Sequence, residues 1–167
     1  MVSFASKEYD SNCVQVKELH HKYSIREFCT HPYPNHPKGC PNFNKCDRCP
    51  PKFPYITDVL DVTKPVYFVY VTFDLRKHAS EMKQKHPDWT DRQCKCVLYW
   101  QSRVRKNLKE SIPFFMRKYD CNFVTMTPEG MGVNVYKSMR SSGIRLQRIK
   151  DLTKAYCIAL IGIKVWL

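Results

Sequence analysis

No run of apolar residues in this chain is long and clean enough to cross a bilayer as a helix. The longest, Val66 to Val71 and Tyr156 to Leu167, are short or broken by lysine, whereas a spanning helix needs about 20 apolar residues. Nor does the N-terminal Met-Val-Ser-Phe-Ala-Ser-Lys-Glu-Tyr-Asp place a basic segment ahead of an apolar one, so it does not read as a secretory signal. A cytoplasmic protein with no membrane partner is the expectation. Negative charge is scarce too: 15 Asp and Glu stand against 28 Lys and Arg, a formal charge of +13 with no acidic tail to offset it. Such an excess attracts nucleic acid or a phosphorylated nucleotide and makes the binding salt-dependent. The blander reading is a lysine-rich surface that serves solubility. Internal repeats, a Walker loop, a dinucleotide fingerprint and a Ser/His/Asp arrangement are all missing, so none of those chemistries is indicated.

Cysteine, by contrast, is abundant, with nine in 167 residues. The odd count argues against a complete disulfide framework, and in a reducing compartment clustered thiols point to metal binding or catalysis. Four of them, with most of the prolines, lie in residues 29–54, spaced C-x10-C-x5-C-x2-C at Cys29, Cys40, Cys46 and Cys49. Proline removes backbone donors and is excluded from helix interiors and central strands, so this lobe needs another staple. The Cys46-x2-Cys49 end lets two thiolates converge on one metal from a tight turn, and the longer arms return the other two. Four thiolates suit tetrahedral zinc and also an iron–sulfur cluster of the 4Fe-4S kind. Proline after Cys40 and Cys49, as at the cysteine-proline ends of ferredoxin runs, and the lack of paired zinc-ribbon knuckles favour iron–sulfur. His31 and His36 read as loop histidines, with imidazole in place of one thiolate as the sharper alternative.

These residues also carry a resemblance. Arg26-x-x-Cys29, Cys40-Pro-Asn-Phe and Cys49-Pro-Pro, with Gly130-Met-Gly132-Val-Asn-Val-Tyr136 and Ser142-Gly143-Ile144 near the C-terminus, resemble a family of small cysteine-rich proteins described only as predicted metal-binding proteins. The resemblance spans roughly residues 13–162 and implies a metal site at Cys29, Cys40 and Cys49. Three departures stand out: Asn44 occupies the usual glycine position, Cys46 is an added cysteine, and the family's second cysteine-rich segment is reduced to Cys121 or lost.

Elsewhere the pattern predicts strands over 13–19, 65–74, 120–126 and 156–166, the second buried on both faces. Residues 1–12 read as irregular, 58–62 as a short helix or turn, and 75–85 as a polar helix or excursion. Thr90-Asp-Arg-Gln93 is a capping box that should open the longest helix, with Val97, Trp100, Val104, Leu108 and Phe115 as its apolar stripe and Pro113 as a kink or stop. A helix from about Asn134 to Ser141 should end at Gly143. Cys13 and Cys157 read as small core hydrophobes. Cys94 and Cys96 point to opposite sides of a helical turn, so one of them, Cys96 by preference, is a candidate additional thiol.

The sum is an α/β or α+β fold, a single sheet-and-helix domain over residues 1–167 with the cysteine lobe packed at one end of the sheet. Arg92, Lys95, Arg103, Lys106, Lys137, Arg140, Arg145 and Arg148 are candidate phosphate contacts. Three functions fit: an iron–sulfur protein acting in nucleic-acid or nucleotide modification, a non-enzymatic nucleic-acid-binding module stapled by zinc, or a small iron–sulfur electron carrier. In the first, Cys46 is either a fourth ligand or a free thiol beside an open iron. No general acid or base stands out; Asp47, Asp74 and Glu129 qualify only by their places in loops.

Overall fold

The β-branched and aromatic run Tyr67–Asp74 forms β3, the middle strand of a five-stranded sheet. The computed structural model describes residues 2–5, 10–32, 36–147 and 153–165. The other strands are β1 (Val2–Ala5), β2 (Asp10–Gln15), β4 (Phe123–Thr125) and β5 (Lys154–Gly162), in the order β1-β2-β3-β5-β4. Every neighbouring pair is antiparallel, which makes the mixed fold α+β. In β3 both parities are apolar because helices cover both faces.

The register aligns Val69 with Cys13 and Ala159, and Val71 with Cys157. These residues, with Phe73 and Ile161, make one core face against the helix α4 (Gln101–Lys118), which contributes Val104, Leu108, Ile112 and Phe115. Phe68, Tyr70 and Leu160 point the other way, onto α1 (Ile56–Val59) and α5 (Val135–Ser141) through Ile56, Val135 and Met139. Cys13 and Cys157 are buried as expected, and burial pushes the Cys13 thiol up to about 12, so it is a neutral packing group.

Local signals hold where the neighbourhood alone decides. Asp74 caps α2 (Leu75–Lys85) by accepting from the Lys77 N–H at 2.9 Å. Asn134 caps α5 in the same way at 3.0 Å, and Gly143, at φ +84°, follows its end. Three expectations change. The N-terminal stretch is not irregular throughout, since β1 pairs with β2 from Val2↔Cys13 to Ala5↔Asp10. The Thr90–Gln93 capping box forms, yet it opens only the single turn α3 (Asp91–Cys94), followed by a 3-10 turn at Val97–Tyr99 before α4 begins. The break brings Trp100 into the core, stacked on Phe73 at 4.9 Å with its indole N–H donating to the Lys95 carbonyl, while Val97 is left outside. Pro113 neither stops nor shortens α4, which continues to Lys118; its ring is exposed, and the cost is the one hydrogen bond to the Lys109 carbonyl. Among the described residues no helix is long and apolar enough to cross a membrane.

Candidate functional site

The proline-rich lobe is assembled by three devices. The 3-10 turn Tyr23–Thr30 places Arg26 inside it, only 6% exposed. The guanidinium lies 4.8 Å from the Tyr23 ring centroid and donates to the Phe53 carbonyl and, at 3.1 Å, to that of Pro51. A cation that can fork to two carbonyls thus ties the end of the lobe to its beginning. Next, Gly39 at φ +80° lets the chain close on itself, so that the Cys40 N–H donates to the Cys29 carbonyl at 2.7 Å. Last, the turn before Cys49 brings the Cys46 and Cys49 sulfurs to 2.9 Å. Asn44 sits at φ +57°, and its N–H donates to the Pro50 carbonyl at 3.0 Å. Asparagine tolerates that left-handed conformation, so the turn closes without a glycine there.

Part of the lobe lies beside the short edge strand β4 and the residues that follow it. Arg48 and Phe53 share a cleft of about 380 Å³ with Lys109 and Ile112 of α4 and Val124 and Thr125 of β4. Gly130, in the 3-10 turn Pro128–Met131, faces the Arg48 carbonyl and the rings of Phe53 and Pro50.

Three of the lobe's thiols are shifted by their surroundings. The Cys46 thiol is lowered, first by its hydrogen bond with Cys49 and then by the Arg48 N–H. Cys49 is pushed up to about 11 by the same bond, then by burial and the nearby Cys46, Cys40 and Cys29. Cys29 is raised by burial, by Cys40 and by Glu129, against the opposing charge of Arg26. Glu129 lines a 230 Å³ cleft with Arg105, Met126 and Tyr156, and lost solvation raises its carboxyl. The structure therefore places Cys46 and Cys49 in direct contact and holds Cys29 and Cys40 beside each other through their backbones. Among the described residues it gathers no group of three or more His, Cys, Asp or Glu side chains as a metal site.

Two larger clefts open near the carboxyl end of β3. The first, about 630 Å³, is lined by Arg76, Lys83, Trp89, Asp91, Cys94 and Lys95 among others. The second, about 770 Å³, takes in Arg76, Lys77, His78, Arg103 and Lys154 along with Asp10, Asp74 and Glu81. Arg76 and Thr153 line both, so the two clefts adjoin; the first carries three cations and one carboxylate, the second four cations and three carboxylates. His78 is buried, and its Nε2 has no hydrogen-bond partner; burial and then Arg103 lower its pKa, keeping the imidazole neutral at pH 7.

Against family models, curated proteins and solved structures, the chain has no match. The site is therefore read from its own residues. Of the expected phosphate contacts, Lys95 and Arg103 line the clefts. Arg92 is exposed on α3, and Lys106 is exposed on α4 with its ammonium 4.0 Å from Glu110. Lys137 and Arg140 are exposed on α5, across the sheet from α4, and Arg145 is exposed beyond it. Arg148 lies outside the described residues. The expected basic set is thus divided between two faces. Sequence reasoning missed Arg76, Lys77 and Lys83; the signal was the helical spacing of residues 75–85, which sets Arg76 and Lys83 two turns apart on one side. Cys96 is half-buried where α3 meets the 97–99 turn, separate in the chain from the lobe.

Proposed function

We propose that this protein binds nucleic acid through the paired clefts, and that its proline-rich lobe is a staple closed by one zinc ion on Cys29, Cys40, Cys46 and Cys49. The observation that carries the binding is the pair of adjoining clefts bearing Arg76, Lys77, Lys83, Lys95, Arg103 and Lys154 on a chain of charge +13. Its first cleft has one carboxylate at its wall, and that one is already paired: Asp91 accepts from Lys95 at 2.9 Å. A polyanion entering there meets Arg76 and Lys83, while Lys95 is held by Asp91 and the second cleft sets Asp10, Asp74 and Glu81 beside its four cations.

The choice of zinc rests on the 2.9 Å contact between the Cys46 and Cys49 sulfurs. Two thiolates on one tetrahedral zinc stand about 3.8 Å apart, so this pair needs to open by only ~0.9 Å. In a four-iron cluster each thiolate binds its own iron, and the pair would have to separate much further. The iron–sulfur reading, with a reaction on nucleic acid or nucleotide, is the second one; Cys40-Pro41 and Cys49-Pro50 support it, and it uses the same cysteines. The resemblance to predicted metal-binding proteins supports a metal at Cys29, Cys40 and Cys49 under either reading.

Metal analysis on protein purified without oxygen is expected to find one zinc per chain and no acid-labile sulfide, and Cys46→Ser is expected to lose the zinc and loosen the lobe. Brown protein holding iron and sulfide, or a Cys46→Ser variant that keeps its metal, overturns the zinc staple. For the clefts, affinity for an oligonucleotide should fall steeply with salt, and the log–log slope should shrink by about 1 for each of Arg76→Gln and Arg103→Gln. Absence of binding at low salt overturns the nucleic-acid reading.

A further inference from the structure

Beside the first cleft stand three aromatic rings that the core does not use. His86 stacks on Trp89 with ring centroids 4.0 Å apart and planes at 11°, and Trp89 stacks on Tyr99 at 5.2 Å and 27°. His86 is exposed, Trp89 half-buried and Tyr99 50% exposed. The turn that carries Tyr99 also holds Val97 and Leu98 in solvent, at 48% and 81% exposed. Trp89 belongs to the wall of the cleft that Arg76, Lys83 and Lys95 line, so one residue joins a row of stacked rings to a row of cations.

We infer that this ladder and cleft form a stacking platform for single-stranded nucleic acid, with bases laid on the rings and phosphates held in the cleft. The inference rests on the nucleic-acid reading above and narrows it to strands with unpaired bases. In a duplex the flat faces of the bases are hidden against one another; in a single strand they are free to extend a protein stack, whatever the sequence. The platform is set before anything binds. Lys83 Nζ donates to the Trp89 carbonyl at 2.6 Å, the Trp89 N–H donates to the His86 carbonyl at 3.0 Å, and the capping box fixes Thr90 immediately after. Rings already ordered lose little freedom when a base joins them. An acidic peptide would satisfy the cations but leave the rings and the exposed Val97–Tyr99 turn uncovered. A single strand satisfies both.

The test is a fluorescence-anisotropy titration repeated at several salt concentrations, with probes and variants compared at matched salt. The probes are a short single-stranded oligonucleotide as DNA and as RNA, the same sequence as duplex, an abasic strand of equal length, and heparin as competitor. Proteins are the wild type, Trp89→Ala, Tyr99→Ala and Tyr99→Phe. The expected result is preference for single strand over duplex and abasic strand, and a loss of roughly tenfold for Trp89→Ala and Tyr99→Ala. The salt slope should be unchanged in both, and Tyr99→Phe, which keeps the ring, should bind like wild type. Because Tyr99 is half exposed, Tyr99→Ala keeps the test open should Trp89→Ala fold poorly. Equal affinity for the abasic strand, or alanine variants that bind as tightly as wild type, overturns the platform while leaving the phosphate reading intact. Failure of every polyanion to bind overturns the underlying reading and the platform with it. Heparin, which carries no bases, should bind wild type and Tyr99→Ala with equal affinity; a loss of heparin affinity in Tyr99→Ala as large as its loss of single-strand affinity also overturns the platform.

Discussion

On the zinc-staple reading, Gly39→Ala is expected to weaken metal binding by the lobe sharply while the sheet stays folded. At φ +80° an L-residue is strained, and the added Cβ would lie 2.5 Å from the Cys29 carbonyl oxygen, 2.7 Å from Thr30 C and 2.8 Å from Thr30 Cα. All three are backbone atoms, so no rotamer change relieves the clash. Residues 39–40 must leave residues 29–30, which breaks the Cys40 N–H to Cys29 carbonyl bond and separates two of the four thiolates. Metal affinity, measured by competition with a chromophoric chelator, should fall by at least the roughly 10–100-fold that lost support of a ligand costs. Thermal unfolding should still be cooperative, because each of those clashes is within the lobe. Gly143→Ala is the matched control. Its φ is +84° with nothing within 4 Å of the added carbon, so it bears strain without a clash and should retain the metal. If the two variants bind metal equally, the close approach at Gly39 does not hold the site together.

Arg26→Met carries the second large effect. Methionine retains much of the stem and loses the guanidinium, so the Pro51 and Phe53 carbonyls lose their donor in a place where only 6% of Arg26 reaches solvent. Charged hydrogen bonds contribute about 1.5–3 kcal/mol each, but removing the arginine also relieves the burial of its charge and of an Nε with no partner, so a net loss of about 2–4 kcal/mol is expected. Arg26→Lys should recover only part of it, because an ammonium on a flexible stem does not reproduce a planar fork. Urea unfolding monitors the global loss, and limited proteolysis between Cys40 and Phe53 shows whether the lobe opens first. Unchanged stability and unchanged cleavage would mean that Arg26 is not the pin.

The two variants sit at different depths of legibility. Gly39 is visible in sequence as a glycine beside a cysteine, yet nothing there says that the partner across the gap is the Cys29 carbonyl. Arg26 is visible as the start of Arg26-x-x-Cys29, but that its side chain reaches back to the residues after Cys49 follows only from the closed lobe. Asn44 is the converse case: the sequence marks it as a departure, and its φ of +57° turns the departure into a substitution the backbone tolerates.

By itself the sequence determined what depends on a few neighbouring residues. The run 67–74 is a strand because β-branched and aromatic side chains on both parities suit a strand buried on both faces. Asn134 and Gly143 bound a helix because one offers a capping oxygen and the other a left-handed φ. Prolines deny residues 29–54 regular structure, and the four cysteines clustered there mark where a substitute is needed. Tertiary structure decided whatever depends on side chains meeting across the sheet. It broke the expected long helix at residues 95–100, because burying Trp100 on Phe73 outweighs continuing a solvated turn. It divided the basic residues, since α4 and α5 pack on opposite faces and periodicity does not say which face a helix takes. It also joined α2 to the turn before α3, bringing Arg76, Lys83 and Trp89 to one cleft. Local conformation is fixed by sterics and hydrogen bonds within a few residues; a binding surface is fixed by which buried faces find each other, and that is settled only when the whole core packs.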